Sequence, residues 1–195
     1  MNDIKATLLE WCQRSIFLLL LLTVFIVPVF FGTWTNDVFE TNKLFLFRLL
    51  TLSILALMTV QTAIKGEFRL PKTPLDLPFA GYFLAAVVAT LHTVQPDISW
   101  FGQYENYFGL VNISHYIIFY YILVHSVDSR RRLTMVLGTL VFSGSMVTTY
   151  GLMQRLEMDP VPWNPLSIIV TRNFSTLGNP VFLAAFQIMV LPVVA

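Results

Sequence analysis

Apolar and polar positions are distributed along this chain in blocks. Six apolar runs, near residues 15–31, 43–64, 77–94, 110–127, 133–153 and 179–195, are separated by short polar connections. At ~1.5 Å of helix per residue, runs of this length reach across, or nearly across, a hydrocarbon core of ~30 Å. The pattern predicts an all-α fold: a polytopic transmembrane helical bundle of about six spans, one transmembrane domain over residues 1–195. A cleaved signal peptide is the rival reading of the first run. Against it, the leader carries Asp3 and Glu10, and the residues that follow, Phe-Gly-Thr-Trp, offer no small-residue cleavage site. Within the third run Gly81, Ala85 and Ala89 recur every fourth residue, and Gly144, Thr148 and Gly151 do much the same in the fifth. Such small faces let membrane helices approach closely, so both are expected to pack.

Composition supports the pattern. The 195 residues are 56% hydrophobic and 12% charged, with a mean hydropathy of +0.70, too apolar for an ordinary soluble domain. A net charge of +1 without a basic patch excludes any general pull toward nucleic acid. Cys12 stands alone, so no intrachain disulfide can form. Eight cations fall on one side of the predicted bundle, Lys5 and Arg14 before the first run, Lys65, Arg69 and Lys72 after the second, and Arg130, Arg131 and Arg132 before the fifth, against Lys43, Arg155 and Arg172 on the other. By the positive-inside rule the richer side is cytoplasmic, and so is the N-terminus.

The opposite side holds the polar residues that need explaining. Asn179 and Pro180 read as N-cap and first position of the last helix, with Gly178 freeing the backbone before them. A helix start of this kind favours an anion, and Arg172 lies within loop reach as a planar charged fork suited to phosphate. The alternative is a well-capped membrane helix preceded by one solvated arginine. Arg48 sits inside the second run, where it needs a partner or a route to water, and Lys43 lies at the start of the same run. Trp100, Phe101, Tyr104, Tyr107 and Phe108 form either an interfacial aromatic belt or a contact surface for sugar or prenyl groups. Glu105 is a lone carboxylate beside them. His92, His115 and His125 are isolated in apolar helices, and no nucleophile triad, phosphate loop or metal-ligand spacing occurs. No catalytic residue, metal or cofactor is assigned.

Three segments together resemble the N-terminal half of the bacterial O-antigen ligase/polymerase family. They are Phe39-Glu-Thr-Asn-Lys43 with Arg48, then Ser99-Trp-Phe-Gly-Gln-Tyr-Glu-Asn-Tyr-Phe-Gly109, then Arg172-Asn-Phe-Ser-Thr-Leu-Gly-Asn-Pro-Val-Phe-Leu-Ala-Ala185. In that family the last segment commonly reads Gly-Asn-Pro-Asn; here Val181 replaces the second asparagine. The resemblance implies a glycosyltransferase of the bacterial inner membrane acting in cell-envelope and lipopolysaccharide biosynthesis. It would move a glycan from a polyprenyl-diphosphate carrier to a lipid, glycan or protein acceptor on the periplasmic face. Arg172, Arg48, Lys43 and Asn179 are the expected substrate-binding residues, with Arg172 on the diphosphate. Family members also use a histidine in a large later periplasmic loop, which has no counterpart here. The chain is therefore expected to be part of a longer protein and not to turn over by itself. The competing expectation is a non-catalytic membrane scaffold or transporter fragment, whose outward loops bind a partner.

Overall fold

The computed structural model describes residues 2–67, 71–104, 106–161, 163 and 173–194. Among these residues seven α-helices follow in order: α1 (Asn2–Val29), α2 (Glu40–Lys65), α3 (Asp76–Leu91), α4 (Pro96–Phe101), α5 (Leu110–Ser126), α6 (Arg130–Arg155) and α7 (Pro180–Val194). A single 3₁₀ turn, Ser175–Leu177, precedes α7. There is no strand among the described residues. Helices α1, α2 and α6 are long and apolar enough to cross a membrane, while α3, α5 and α7 are apolar but shorter. Large apolar side chains such as Leu77, at 82% exposure, and Val94, at 96%, face outward. Such surface is that of a helical protein solvated by lipid.

The helices begin and end for local reasons. Asp37 starts α2: one carboxylate oxygen accepts the backbone N–H groups of Phe39 and Glu40 at 3.2 and 3.1 Å, the other that of Thr41 at 2.9 Å. Three otherwise unpaired donors are thereby satisfied. Asn42 fastens the turn before it, its amide donating to Thr35 Oγ1 at 2.6 Å and to the Val38 carbonyl at 3.0 Å. Burial pushes the Asp37 carboxyl up, but hydrogen bonds from the Thr41 hydroxyl and from the N–H groups of Thr41, Glu40 and Phe39 outweigh it and hold it below its ordinary range. Helix α6 ends in a Schellman turn: Met158 N–H reaches the Met153 carbonyl at 2.9 Å, with Glu157 at φ 58°.

Two compact units emerge, Met1–Leu20 with Arg48–Ser129, and Leu21–Phe47 with Arg130–Ala195. The first buries Ile16, Leu20, Leu50, Ile54, Leu110 and Ile122. Its α3 lies antiparallel to α5: Tyr121 donates to Asp76 at 2.9 Å, and Phe79 packs edge-on against Tyr120 with ring centroids 4.7 Å apart. The expected packing of Gly81, Ala85 and Ala89 does not occur among the described residues. All three are exposed, and nothing lies within 4 Å of a Cβ placed on Gly81. Phe79, at another angle on α3, makes the contact instead.

In the second unit the α6 small face does pack. A Cβ on Gly144 would stand 2.9 Å from Val190 of α7, and Gln187 of α7 donates to Thr148 Oγ1 at 2.6 Å. Gly151 faces Ser175 and Leu183. Ser143 ties the same helix to α1, donating to the Phe25 carbonyl at 3.1 Å beside the stacked rings of Phe25 and Phe142.

The predicted runs and the helices agree in type and, for α2, α3, α5, α6 and α7, to within three residues. Two boundaries differ. Residues 2–14, expected as a polar leader, form the first turns of α1, because Ala, Leu, Glu, Gln and Lys are good helix formers. The aromatic connection, expected as loop, contains α4, started by Pro96 at its first turn and stopped by Gly102 at φ 89°.

Candidate functional site

The segment running into α7 is anchored on several sides. Phe174, Ser175 and Thr176 are buried, Ser175 completely. The Ser175 hydroxyl donates to the Val147 carbonyl at 2.5 Å, and its N–H donates to Gln154 Oε1 at 2.8 Å. The Thr176 hydroxyl donates to the Pro28 carbonyl at 2.8 Å. The small polar run is thereby spent on holding three helices, α1, α6 and α7, to one turn. Gly178 turns the backbone at φ 73°, and a Cβ there would stand 2.5 Å from the Phe39 ring. Only glycine meets both conditions, the left-handed backbone and the contact.

Beyond Gly178 the expected helix start is present. Asn179 Oδ1 accepts the Val181 N–H at 2.8 Å, and Pro180 occupies the first helical position. The cap uses one donor of the first turn and leaves Asn179 exposed at the end of a helix whose positive pole points the same way. Arg172, expected beside it, lies outside the described residues, as does Glu105.

Lys43 is placed against this same segment. It is only 8% exposed, and its ammonium donates to the Thr176 carbonyl and lies 5.5 Å from the centroid of the Phe39 ring. A buried ammonium carries three donors. The Thr176 carbonyl takes one of them, so Lys43 both latches α2 to the turn and keeps donor capacity there. Phe31, Phe39, Tyr150, Trp163 and Phe174 wall this region, with centroids 5.2 to 6.0 Å apart.

Asp159 braces the wall. It accepts the Tyr150 hydroxyl at 2.8 Å, the Gln154 amide at 2.9 Å, the Val161 N–H at 3.0 Å and the Trp163 indole at 2.7 Å. Burial pushes its carboxyl up, but these four donors outweigh burial and hold it below the ordinary range. Through Gln154 the brace continues to Ser175. Neither Asp159 nor Gln154 stood out in the sequence, because an Asp and a Gln near a helix end read as solvated.

Arg48 belongs to the first unit and finds its partner there. Its Nε and Nη2 donate to Asn112 Oδ1 of α5 at 2.8 and 2.5 Å. Asn112, 1% exposed, donates onward to the Tyr107 carbonyl. The arginine thus holds the base of the aromatic loop, where Gly102 packs against the Tyr107 backbone. Trp100, Phe101, Tyr104 and Phe108 point outward from it, each at least 45% exposed. His115, one turn beyond Asn112, donates through Nδ1 to the Val111 carbonyl at 2.7 Å, and its Nε2 is buried with no partner among the described residues. His92 contacts the Val88 carbonyl at 2.9 Å, and His125 is exposed at the end of α5. Among the described residues no three His, Cys, Asp or Glu side chains gather.

No family model, curated protein or solved structure matches the chain.

Proposed function

We propose that this chain is the donor-side part of a glycan ligase or polymerase of the bacterial inner membrane, with six spans and a cytoplasmic N-terminus. Its donor is a glycan on a polyprenyl diphosphate, and its acceptor a lipid, glycan or protein hydroxyl at the periplasmic face. The observation that carries the reading is the start of α7: a capped helix end with Asn179 exposed, set on a buried and fully tied turn, with the Lys43 ammonium against the same turn. The unpaired N–H groups and positive pole of a helix start, with a cation tied to the turn before it, favour a diphosphate.

In the transfer the acceptor oxygen attacks the anomeric carbon, the bond from that carbon to the diphosphate oxygen breaks, and the acceptor proton leaves to a base. Charge develops on the departing diphosphate. Fixed donors at that position lower the barrier because they need no reorganisation as charge forms. Arg172, by its place in the sequence, adds a two-pronged contact to phosphate oxygens. Lys43 supports the turn and lends positive potential. Arg48, in the first unit, holds Asn112 and the base of the aromatic loop.

Substitution of Arg172 in the native gene product tests this reading. Arg172→Ala should reduce glycan transfer by ~100-fold or more, in the range seen when one transition-state donor is removed. Arg172→Lys should restore only part, because a point charge does not reproduce the fork. Transfer unchanged in both, at normal membrane abundance, would remove the diphosphate role.

A further inference from the structure

The first unit contains a cavity of about 840 Å³ between the C-terminal halves of α2 and α5. Its lining is graded along the helices. Leu55 and Met58 of α2, and Ile117 and Ile118 of α5, line the deeper part; Gln61 and Lys65 follow on α2, and Tyr121 and His125 on α5. From Leu55 to Lys65 is ~15 Å of helix, so the cavity has an apolar length and a polar mouth.

Gln61 marks it as more than a packing gap. The residue is 5% exposed, yet its side-chain amide has no hydrogen-bond partner among the described residues. Thr59, by contrast, is satisfied by the Leu55 carbonyl at 2.9 Å, and Tyr121 by Asp76 at 2.9 Å. Its amide is not among the sealed unpartnered atoms, so it opens onto the cavity, where a ligand's oxygen can take it.

The charges at the mouth are mixed. Lys65 is the last residue of α2, and Glu67 lies on the same rim. Helices α2 and α5 both end here, so two negative poles face the mouth. A purely anionic headgroup would meet Lys65 but oppose both poles. A headgroup with a phosphate and an ammonium is complementary to all of them.

We propose that the cavity binds one zwitterionic glycerophospholipid. One acyl chain lies along Leu55, Met58, Ile117 and Ile118. The Gln61 amide hydrogen-bonds the ester or phosphate oxygens, Lys65 faces the phosphate, and the headgroup ammonium faces the two helix ends. The inference is independent of glycan transfer and rests only on the apolar helices lying in lipid.

Native mass spectrometry of the purified protein tests it, after equilibration with bilayers of equal parts phosphatidylethanolamine and phosphatidylglycerol. The wild-type protein should retain one lipid, phosphatidylethanolamine in preference to phosphatidylglycerol. Gln61→Leu should weaken retention by about tenfold, the equivalent of one buried hydrogen bond. Lys65→Gln should weaken it and erase the headgroup preference. Met58→Trp, which fills the apolar length, should abolish retention while leaving helical content intact, and so covers the case in which Gln61→Leu fails to fold. Retention of phosphatidylglycerol in preference, retention unaltered in Met58→Trp, or release of detergent alone would overturn the proposal.

Discussion

Two buried polar regions of this molecule have opposite states of satisfaction. Around the turn at 174–179, Ser175, Thr176, Gln154, Asp159 and Lys43 each bond to a named partner. In the α2–α5 cavity, Gln61 bonds to none among the described residues, and the space beside it is open. In an apolar chain a buried polar group is mortar where its partners are internal, and a waiting contact where they are not. The first region is built to hold a helix end still; the second is built to be completed from outside.

The comparison breaks most readily at Gly178. Gly178→Val adds a Cβ into the Phe39 ring and places a β-branched residue at φ 73°, so a loss of about 3 kcal/mol is expected in denaturant unfolding from detergent micelles. A loss under ~0.5 kcal/mol would show that the turn is not rigid. Next comes Lys43→Met, which keeps the volume but leaves the buried Thr176 carbonyl without its donor. About 2 kcal/mol should be lost in the same unfolding experiment.

The effect reverses in the cavity. Without the zwitterionic lipid, Gln61→Leu should raise stability slightly, since it adds apolar contact in the cavity and removes no hydrogen bond within the protein. The same substitution made in the closed region, Gln154→Leu, should lower it, because Asp159 and Ser175 both lose a partner. Matching signs for the two glutamines would dissolve the distinction.

The smallest expected effect is on pH dependence. The folded-state carboxyl of Asp159 lies below its unfolded-state value, so its contribution is complete above that value, near ~3.9, and is lost as pH falls through the lower folded one. Thermal melts taken from pH 6 down to pH 3 should therefore fall more steeply for the wild type than for Asp159→Asn. Parallel curves would mean that the four donors do not favour the charged form.

The helices were legible because a membrane span is a property of a contiguous run, and the runs at 43–64 and 110–127 are continuous in the sequence. The cap at Asn179 was legible for a similar reason, as Asn-Pro at the edge of an apolar run is a local signal. The partner of Arg48 was not, since Asn112 lies 64 residues away, and the Lys43–Thr176 latch closes over 133. The small faces show the limit best. Gly81, Ala85 and Ala89 carry the same spacing signal as Gly144 and its neighbours, yet only the second face meets a helix, because spacing describes a surface and not what covers it. Asp37 could have been read from the sequence as the start of α2, an acid standing just before an apolar run.

Binding of a short-chain prenyl diphosphate to the purified protein, followed by isothermal titration calorimetry, tests the central claim most directly. It needs neither the acceptor nor the base. The account predicts saturable binding that inorganic pyrophosphate competes away, that weakens at least ~tenfold in Arg172→Ala, and that is unaffected by Arg14→Ala at the far end of the chain. Absence of binding, or equal affinity in Arg172→Ala, would contradict a diphosphate site at the start of α7.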